Sequence, residues 1–305
     1  MPSKIHFCIE GLYPVDLERY MKAAIGEAEE SLREGNKGFG AVIVRDGEII
    51  AAAHDLEETD SDPTSHAEVN AIRAAGKKLG KKLSECVLVS THEPCPMCAF
   101  AIVWSGIGEV AFGYSISDAL AQGRRRIDFP CTAAFRTAGA DIAVHAGVLK
   151  QECSILYHAA VRKEIENLRN ADDAALQALN EDSVARRTSW FRENSAAFQP
   201  APGDLPNSAY RLLLRRFGAS AEEMPVVQRS DTSVTFHSAN FCPTLEACKI
   251  LRLDTRHICR RLNESSTDTL LKQLDPRLRF TRNYKNLRPY SDYCEETISL
   301  DDGEQ

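Results

Sequence analysis

The feature that most constrains this chain is a pair of short motifs, His66-Ala67-Glu68 and Pro94-Cys95-Pro96-Met97-Cys98, each directly after a loop and at the start of a predicted helix. Cys95 and Cys98 stand three apart and share a helix face, and the positive end of a helix favours their thiolate forms. With His66 they make three ligands of the kind that bind zinc; three protein ligands leave a fourth position for water, as in a catalytic site. A fold that uses these residues must therefore bring two helix N-termini together. Two thiolates and a neutral imidazole cancel the charge of Zn²⁺, so water there needs a base, and Glu68 is the candidate proton carrier. The chemistry this set supports is hydrolytic removal of ammonia from an amidine-type carbon. An isolated Cys-x-x-Cys also occurs as a redox pair or as half of a zinc ribbon; the upstream His-x-Glu on a separate helix favours the catalytic reading.

The surrounding pattern supplies the framework. Leu17, Tyr20, Met21, Ala24, Ala28 and Leu32 recur at helical spacing within residues 16–34, and Gly35 is a plausible stop. Two apolar runs, 38–44 and 48–51, flank Arg45-Asp46-Gly47 and predict a β-hairpin. A helix over 65–79, a buried strand over 86–90, a helix from Cys95, strands over 110–114 and 142–144, and a helix over 151–169 follow. Strands interleaved with helices predict one central sheet covered on both faces.

At 305 residues the chain is about twice the usual domain size. A polar stretch over 170–195 leads to Gln199-Pro200-Ala201-Pro202-Gly203-Asp204-Leu205-Pro206, the best linker candidate. The expected division is residues 1–169, a helical and linker segment 170–204, and a second, smaller α+β domain 205–305. In that domain a helix over 210–217, a hairpin over 226–237 and two helices over 244–262 are expected. The net charge of −7 opposes polyanions, so nucleic acid is not an expected partner. Arg124-Arg125-Arg126 is the only compact basic run, read as solvated or helix-capping, with a phosphate contact as the alternative. Residues 1–10 lack the apolar run of an export signal, and no segment reads as a membrane span, so a cytoplasmic setting is expected. There the ten cysteines read as reduced core residues, metal ligands or catalytic groups.

The runs Gly38-Phe39-Gly40-Ala41-Val42-Ile43-Val44, Asp62-Pro63-Thr64-Ser65-His66-Ala67-Glu68 and Glu93-Pro94-Cys95-Pro96-Met97-Cys98 resemble the cytidine and deoxycytidylate deaminase superfamily. Within it, the guanine deaminase and tRNA adenosine deaminase branch is the nearest in pattern, over residues 16–166. The resemblance implies a three-layer α/β/α domain with a mixed central sheet, and Zn²⁺ on His66, Cys95 and Cys98 with Glu68 as proton shuttle. It also implies a small heterocyclic substrate and a homodimer or larger homo-oligomer. Met97 and Trp104 look more like the guanine deaminases. Phe39, Asp55, Trp104 and His92 are the substrate-binding candidates. Family members commonly place Asn where Asp55 stands; ionised Asp only accepts, so the pocket should prefer a ring bearing an extra N–H or a positive charge. Two other readings are a tRNA adenosine deaminase, which needs a basic groove, and a non-catalytic zinc-stabilised ligand-binding protein, which releases no ammonia.

Beyond the linker, the segments around Cys242, Cys248, Cys259 and Cys294 resemble the C-terminal part of the 2-aminothiazoline-4-carboxylate hydrolase family. A structural zinc, a cysteine-based hydrolase site and a recognition module compete with buried, reduced cysteines. No pair has tight metal-site spacing, which favours the buried cysteines. The arginines of this region are expected to form salt bridges.

Overall fold

The computed structural model describes residues 14–198, 200–201 and 203–301. The reading of residues 1–10 and the linker positions Gln199 and Pro202 lie outside the described residues. The chain divides into two compact units, Met1–Arg162 and Lys163–Gln305.

The first unit runs α1 (Pro14–Glu34), β1 (Gly40–Arg45), β2 (Glu48–His54), α2 (Glu57–Asp60), α3 (Ala67–Leu79), β3 (Val87–His92), α4 (Pro96–Ser105) and β4 (Glu109–Tyr114). Then come α5 (Ile116–Ala121), α6 (Cys131–Thr137), β5 (Ala143–Ala146) and α7 (Lys150–Tyr157), and the division between the units falls within α8 (Ala159–Leu168). The sheet order is β2-β1-β3-β4-β5. β1 is antiparallel to β2 and β3, whereas β3, β4 and β5 are parallel, so the sheet is mixed. Parallel neighbours need crossover connections; α4 supplies the first, α5 and α6 the second. Every residue of β3 is buried, as a central strand covered on both faces must be. Ala41, Ile43 and Leu88 join Ala71 and Ala75 of α3 and Ile102 of α4 in one apolar cluster. The alternate positions Val42 and Val89 are equally buried on the opposite face, where α1 packs. Contact there is so close that a Cβ on Gly40 would stand 2.0 Å from the Ala24 carbonyl oxygen, so only glycine fits. The helix expected over 151–169 breaks at His158, whose extended backbone ends α7 before α8 begins.

The second unit holds α9 (Asp173–Asn194), α10 (Leu205–Phe217), β6 (Val226–Arg229), β7 (Ser233–Ser238), α11 (Pro243–Leu251) and α12 (Thr255–Cys259). A π-helical turn (Arg260–Glu264), α13 (Ser265–Lys272), β8 (Leu278–Arg282) and β9 (Cys294–Leu300) complete it. Its sheet is antiparallel, in the order β6-β7-β9-β8. Val234 and Phe236 of β7, Leu278 of β8 and Ile298 of β9 form its core with Leu212, Leu213 and Leu270. Residues 170–204, expected to stand apart, belong to this unit: Trp190, Phe191 and Phe198 pack against its core. The polar composition of α9 masks that aromatic contribution. The sequence reading also placed no element over 265–300, where charged residues interrupt the apolar alternation of Leu278, Phe280 and Ile298. Among the described residues no helix is long and apolar enough to cross a membrane.

Candidate active site

His66 is the N-cap residue of α3 and Cys95 that of α4, both with extended backbone, and neither side chain caps its helix. Both turn toward a common point instead. His66 Nδ1 lies 3.5 Å from Cys95 Sγ and 3.4 Å from Cys98 Sγ, and the two sulfurs are 3.6 Å apart. A tetrahedral zinc with Zn–S of about 2.3 Å and Zn–N of about 2.0–2.1 Å would set two sulfurs about 3.8 Å apart and a sulfur and nitrogen about 3.6 Å apart. The donor set therefore fits such an ion, and among the described residues no fourth ligand atom joins the group. His66 also belongs to a second group with Asp55 and Glu57. There its Nε2 lies 3.6 Å from Glu57 Oε2, leaving Nδ1 for the sulfurs.

Glu68, in the first turn of α3, is buried. Ser90 Oγ on β3 donates to its Oε1 at 3.1 Å, and its Oε2 stands 3.4 Å from Cys98 Sγ. Burial pushes its carboxyl above the usual carboxylate range, and the negative Cys95 sulfur adds to the effect. Cys95 is lowered to about 4, chiefly by the thiol hydrogen bond from Cys98 and also by His66. His66 is raised to about 9 by the same contact with Cys95. The hydrogen bond with Cys95 and burial push the Cys98 thiol up.

His66, Glu68 and Cys95 line a cavity of about 290 Å³ together with Phe39, His92, Ile116, Arg125, Arg126 and Ile127. That is about the lower end of small-molecule pocket sizes. Phe39 stacks on Tyr157 with ring centres 5.3 Å apart and meets His92 edge-on. His92 Nδ1 is 2.9 Å from the Glu93 carbonyl; a carbonyl only accepts, so Nδ1 carries the proton and Nε2 is an acceptor. Nε2 is buried with no partner. Burial lowers His92 to about 4, which keeps the ring neutral.

Two sequence-derived candidates fall elsewhere. Trp104 is 87% exposed and does not line the cavity. The inward face of α4 carries Cys98, Ala99, Ile102 and Ser105, and a residue two positions beyond Ile102 points away. Asp55 is wholly buried and is not a lining residue. Its Oδ1 accepts the Lys37 amide at 3.2 Å, Oδ2 has no partner, and burial raises it to about 6. Conversely, sequence reasoning passed over Lys37 and Glu57, joined at 2.8 Å, and preferred a solvated or helix-capping role over a phosphate contact for the arginine run, of which Arg125 and Arg126 line the cavity. The run itself was the available signal.

In the second unit Cys242, Cys248, Cys259 and Cys294 are free thiols, and among the described residues no three metal-binding side chains gather around them.

Residues 14–114 match the family model for the cytidine and deoxycytidylate deaminase zinc-binding region. Guanine deaminase of Bacillus subtilis (strain 168) is 45% identical over 108 residues, 35% of this chain and 69% of the relative. The tRNA-specific adenosine deaminase of the same organism is 48% identical over 97 residues, 32% of this chain and 60% of the relative. An X-ray structure of guanine deaminase from Bacillus subtilis matches at 43% identity and a TM-score of 0.34, covering 36% of this chain and 71% of that one.

Proposed function

From the premise that the chain belongs to the cytidine and deoxycytidylate deaminase family, we propose that it is a zinc-dependent hydrolytic deaminase of a small nucleobase-like heterocycle. The observation that carries this reading is the convergence of His66 Nδ1 and two cysteine sulfurs beside a buried carboxyl, at a cavity lined by His66, Cys95 and Glu68. His66, Cys95 and Cys98 would hold the zinc, which supplies Lewis-acid activation of water at neutral pH when bound.

The protein's own groups do the rest. Glu68, raised by burial and steadied by Ser90, takes one proton from the attacking water and passes it to a ring nitrogen, then moves the second, from the added hydroxyl, to the departing amine as the carbonyl forms. Water adds its oxygen to the ring carbon, the C–N bond breaks, and ammonia leaves. Phe39 adds apolar surface to the wall of the cavity, and the His92 Nε2 lone pair accepts a ring N–H. A homodimer or larger homo-oligomer in the cytoplasm belongs to the same proposal, checked by light scattering and by fractionation.

The test is Glu68→Gln. Ammonia release should fall by about 10²–10⁴-fold while zinc per chain stays constant. Unchanged turnover, or loss of zinc in step with activity, overturns the role given to Glu68. The comparable identity of the tRNA-specific relative supports a second reading, adenosine deamination in tRNA. Inosine formation in tRNA without ammonia release from any small heterocycle would replace the first reading with the second.

A further inference from the structure

We infer that Glu57 is a positioning residue for His66: its carboxylate, held in place by Lys37, keeps the imidazole proton on Nε2 and leaves the Nδ1 lone pair facing the two cysteine sulfurs. The inference deepens the deamination reading and rests on it for the zinc, and its test reads zinc apart from ammonia.

Glu57 and His66 both lie on the stretch between β2 and α3, and the fold fixes that stretch at several points. The Leu56 amide donates to the Ser65 carbonyl at 2.9 Å, and Asn70 Nδ2 donates to the carbonyls of His54 and Ser65, so the two ends are drawn together. Asn36, itself buried, accepts the Glu58 and Thr59 amides at 3.1 and 3.0 Å through one oxygen, which sets the start of α2. Glu57 is the first residue of that helix. Its place beside His66 is therefore dictated by the backbone.

Lys37 completes the clamp. Asp55, expected at the substrate, instead fixes Lys37: its Oδ1 accepts the Lys37 amide at 3.2 Å. Lys37 Nζ reaches Glu57 Oε1 at 2.8 Å, which leaves Oε2 toward His66 Nε2 at 3.6 Å. That is an ion-pair distance, longer than a hydrogen bond, so the influence on the ring is electrostatic. The next acid along shows the difference from an ordinary surface pair. Glu58 also faces Lys37, at 4.0 Å, but it is 66% exposed, whereas Glu57 is 14% exposed and lines the cavity with His66.

A neutral imidazole carries one proton, and the nitrogen that keeps it cannot bind a metal. A negative oxygen beside Nε2 holds the proton there and makes Nδ1 the more basic ligand. Asp55, Glu57 and His66 also lie close enough together to take an ion of their own. The Lys37 ammonium already balances Glu57, and a metal on Nε2 would have to displace the proton, so the group serves His66 rather than a second ion.

The test is the zinc affinity of the full-length chain, measured by competition with a chromophoric chelator at one fixed pH, because ligand protons compete with the metal. Glu57→Ala should weaken zinc binding by about 10–100-fold. Glu57→Gln, which keeps an oxygen facing the ring, should recover part of that loss. Glu58→Ala should bind zinc as the unsubstituted protein does. At full zinc occupancy, proton–nitrogen correlation spectra of the histidine rings should show a slowly exchanging Nε2–H on His66 that is lost in Glu57→Ala, with the amide protection of β1 and β3 unaltered. Unchanged zinc affinity in Glu57→Ala overturns the inference. An equal loss in Glu58→Ala overturns it in favour of a net-charge effect, and lost protection in β1 and β3 in favour of a folding role. Two zincs per chain, falling to one in Glu57→Ala, overturn it in favour of a second metal site. Ammonia release by the unsubstituted protein is measured separately. Zinc affinity that follows Glu57, with no ammonia from any purine, pyrimidine or pterin, removes the deamination reading alone; ammonia release with zinc affinity indifferent to Glu57 removes the positioning role alone.

Discussion

The two units put the same residue types to opposite uses. In the first, Cys95 and Cys98 converge on His66, and Arg125 and Arg126 face a cavity without carboxylate partners. In the second, burial pushes the Cys248 and Cys259 thiols up to about 12 and about 11. The arginines there are tied to partners of their own unit: Arg282 to Glu296 at 2.7 Å, Arg261 to Asp173 at 3.0 Å, Arg279 to Asp301 at 2.6 Å. The difference lies in whether the fold itself supplies the partner. A thiol or guanidinium whose partner comes from the same unit acts on stability; one left facing a cavity is available to a metal or a ligand.

The largest expected effect sets one cysteine from each unit side by side. Cys95→Ser should take zinc from about one per chain to near zero and lower ammonia release by on the order of 10⁴-fold, the several kcal/mol a catalytic metal contributes. Cys248→Ser should leave zinc and turnover unchanged and act only on the second unit's stability. Zinc measured by atomic absorption on both variants decides it: a stoichiometry that falls on Cys248→Ser would make the second unit a metal site after all.

The same distinction explains what was legible in the sequence. His66, Glu68, Cys95 and Cys98 stand out because metal chelation demands fixed residue types at fixed spacing, and helix starts are marked by loops and by Pro96. The hairpin of β1 and β2 and the buried run of β3 were equally plain, since turn residues and apolar runs are local signals. Trp104 was misplaced because helical phase, not nearness to the motif, decides which way a side chain points. Arg125 and Arg126 were singled out as a basic run but read first as solvated or helix-capping, because a loop carries no periodicity that would place them at the cavity. β8 and β9 were missed because the inward face of their sheet includes a charged pair, Arg282 and Glu296, where an apolar alternation is expected. Partners supplied by tertiary structure leave no trace in spacing.

That charged pair gives the next test. Arg282 and Glu296 face each other across β8 and β9, with side chains only 11% and 4% exposed, and Ser238 donates to the other Glu296 oxygen at 2.6 Å. Glu296→Ala would leave the Arg282 guanidinium buried without its counter-charge, a change that costs about 3–5 kcal/mol. Hydrogen exchange should show lost protection across β7, β8 and β9, with the amides of β1 and β3 unaltered. Zinc content and ammonia release should hold below the temperature at which the second unit opens. A loss of turnover without a loss of protection would mean that this pair serves the chemistry and would break the comparison.

The smallest effect lies in the first unit, at a charged group whose partners the fold does supply. His54 at the end of β2 meets Glu27 at 2.7 Å and Glu34 at 3.1 Å, both from α1. The hydrogen bond to Glu27 raises its pKa most, burial opposes, and Glu34 adds a second increase. The folded pKa therefore lies above the unfolded one, so the stabilisation is complete below the unfolded value near 6.5 and is lost as pH rises through the folded value. His54→Gln should lower the unfolding free energy by about 0.5 kcal/mol more at about pH 5.5 than at about pH 9, a modest figure because Glu34 is 41% exposed and solvent screens it. Comparing the two proteins at each pH cancels the titration of Asp55, which both share. Turnover at neutral pH should be the same in both, because this pair joins α1 to the sheet and does not line the cavity. Denaturant titrations at the two pH values, with ammonia release measured alongside, would show a difference of the opposite sign if the imidazole were held neutral.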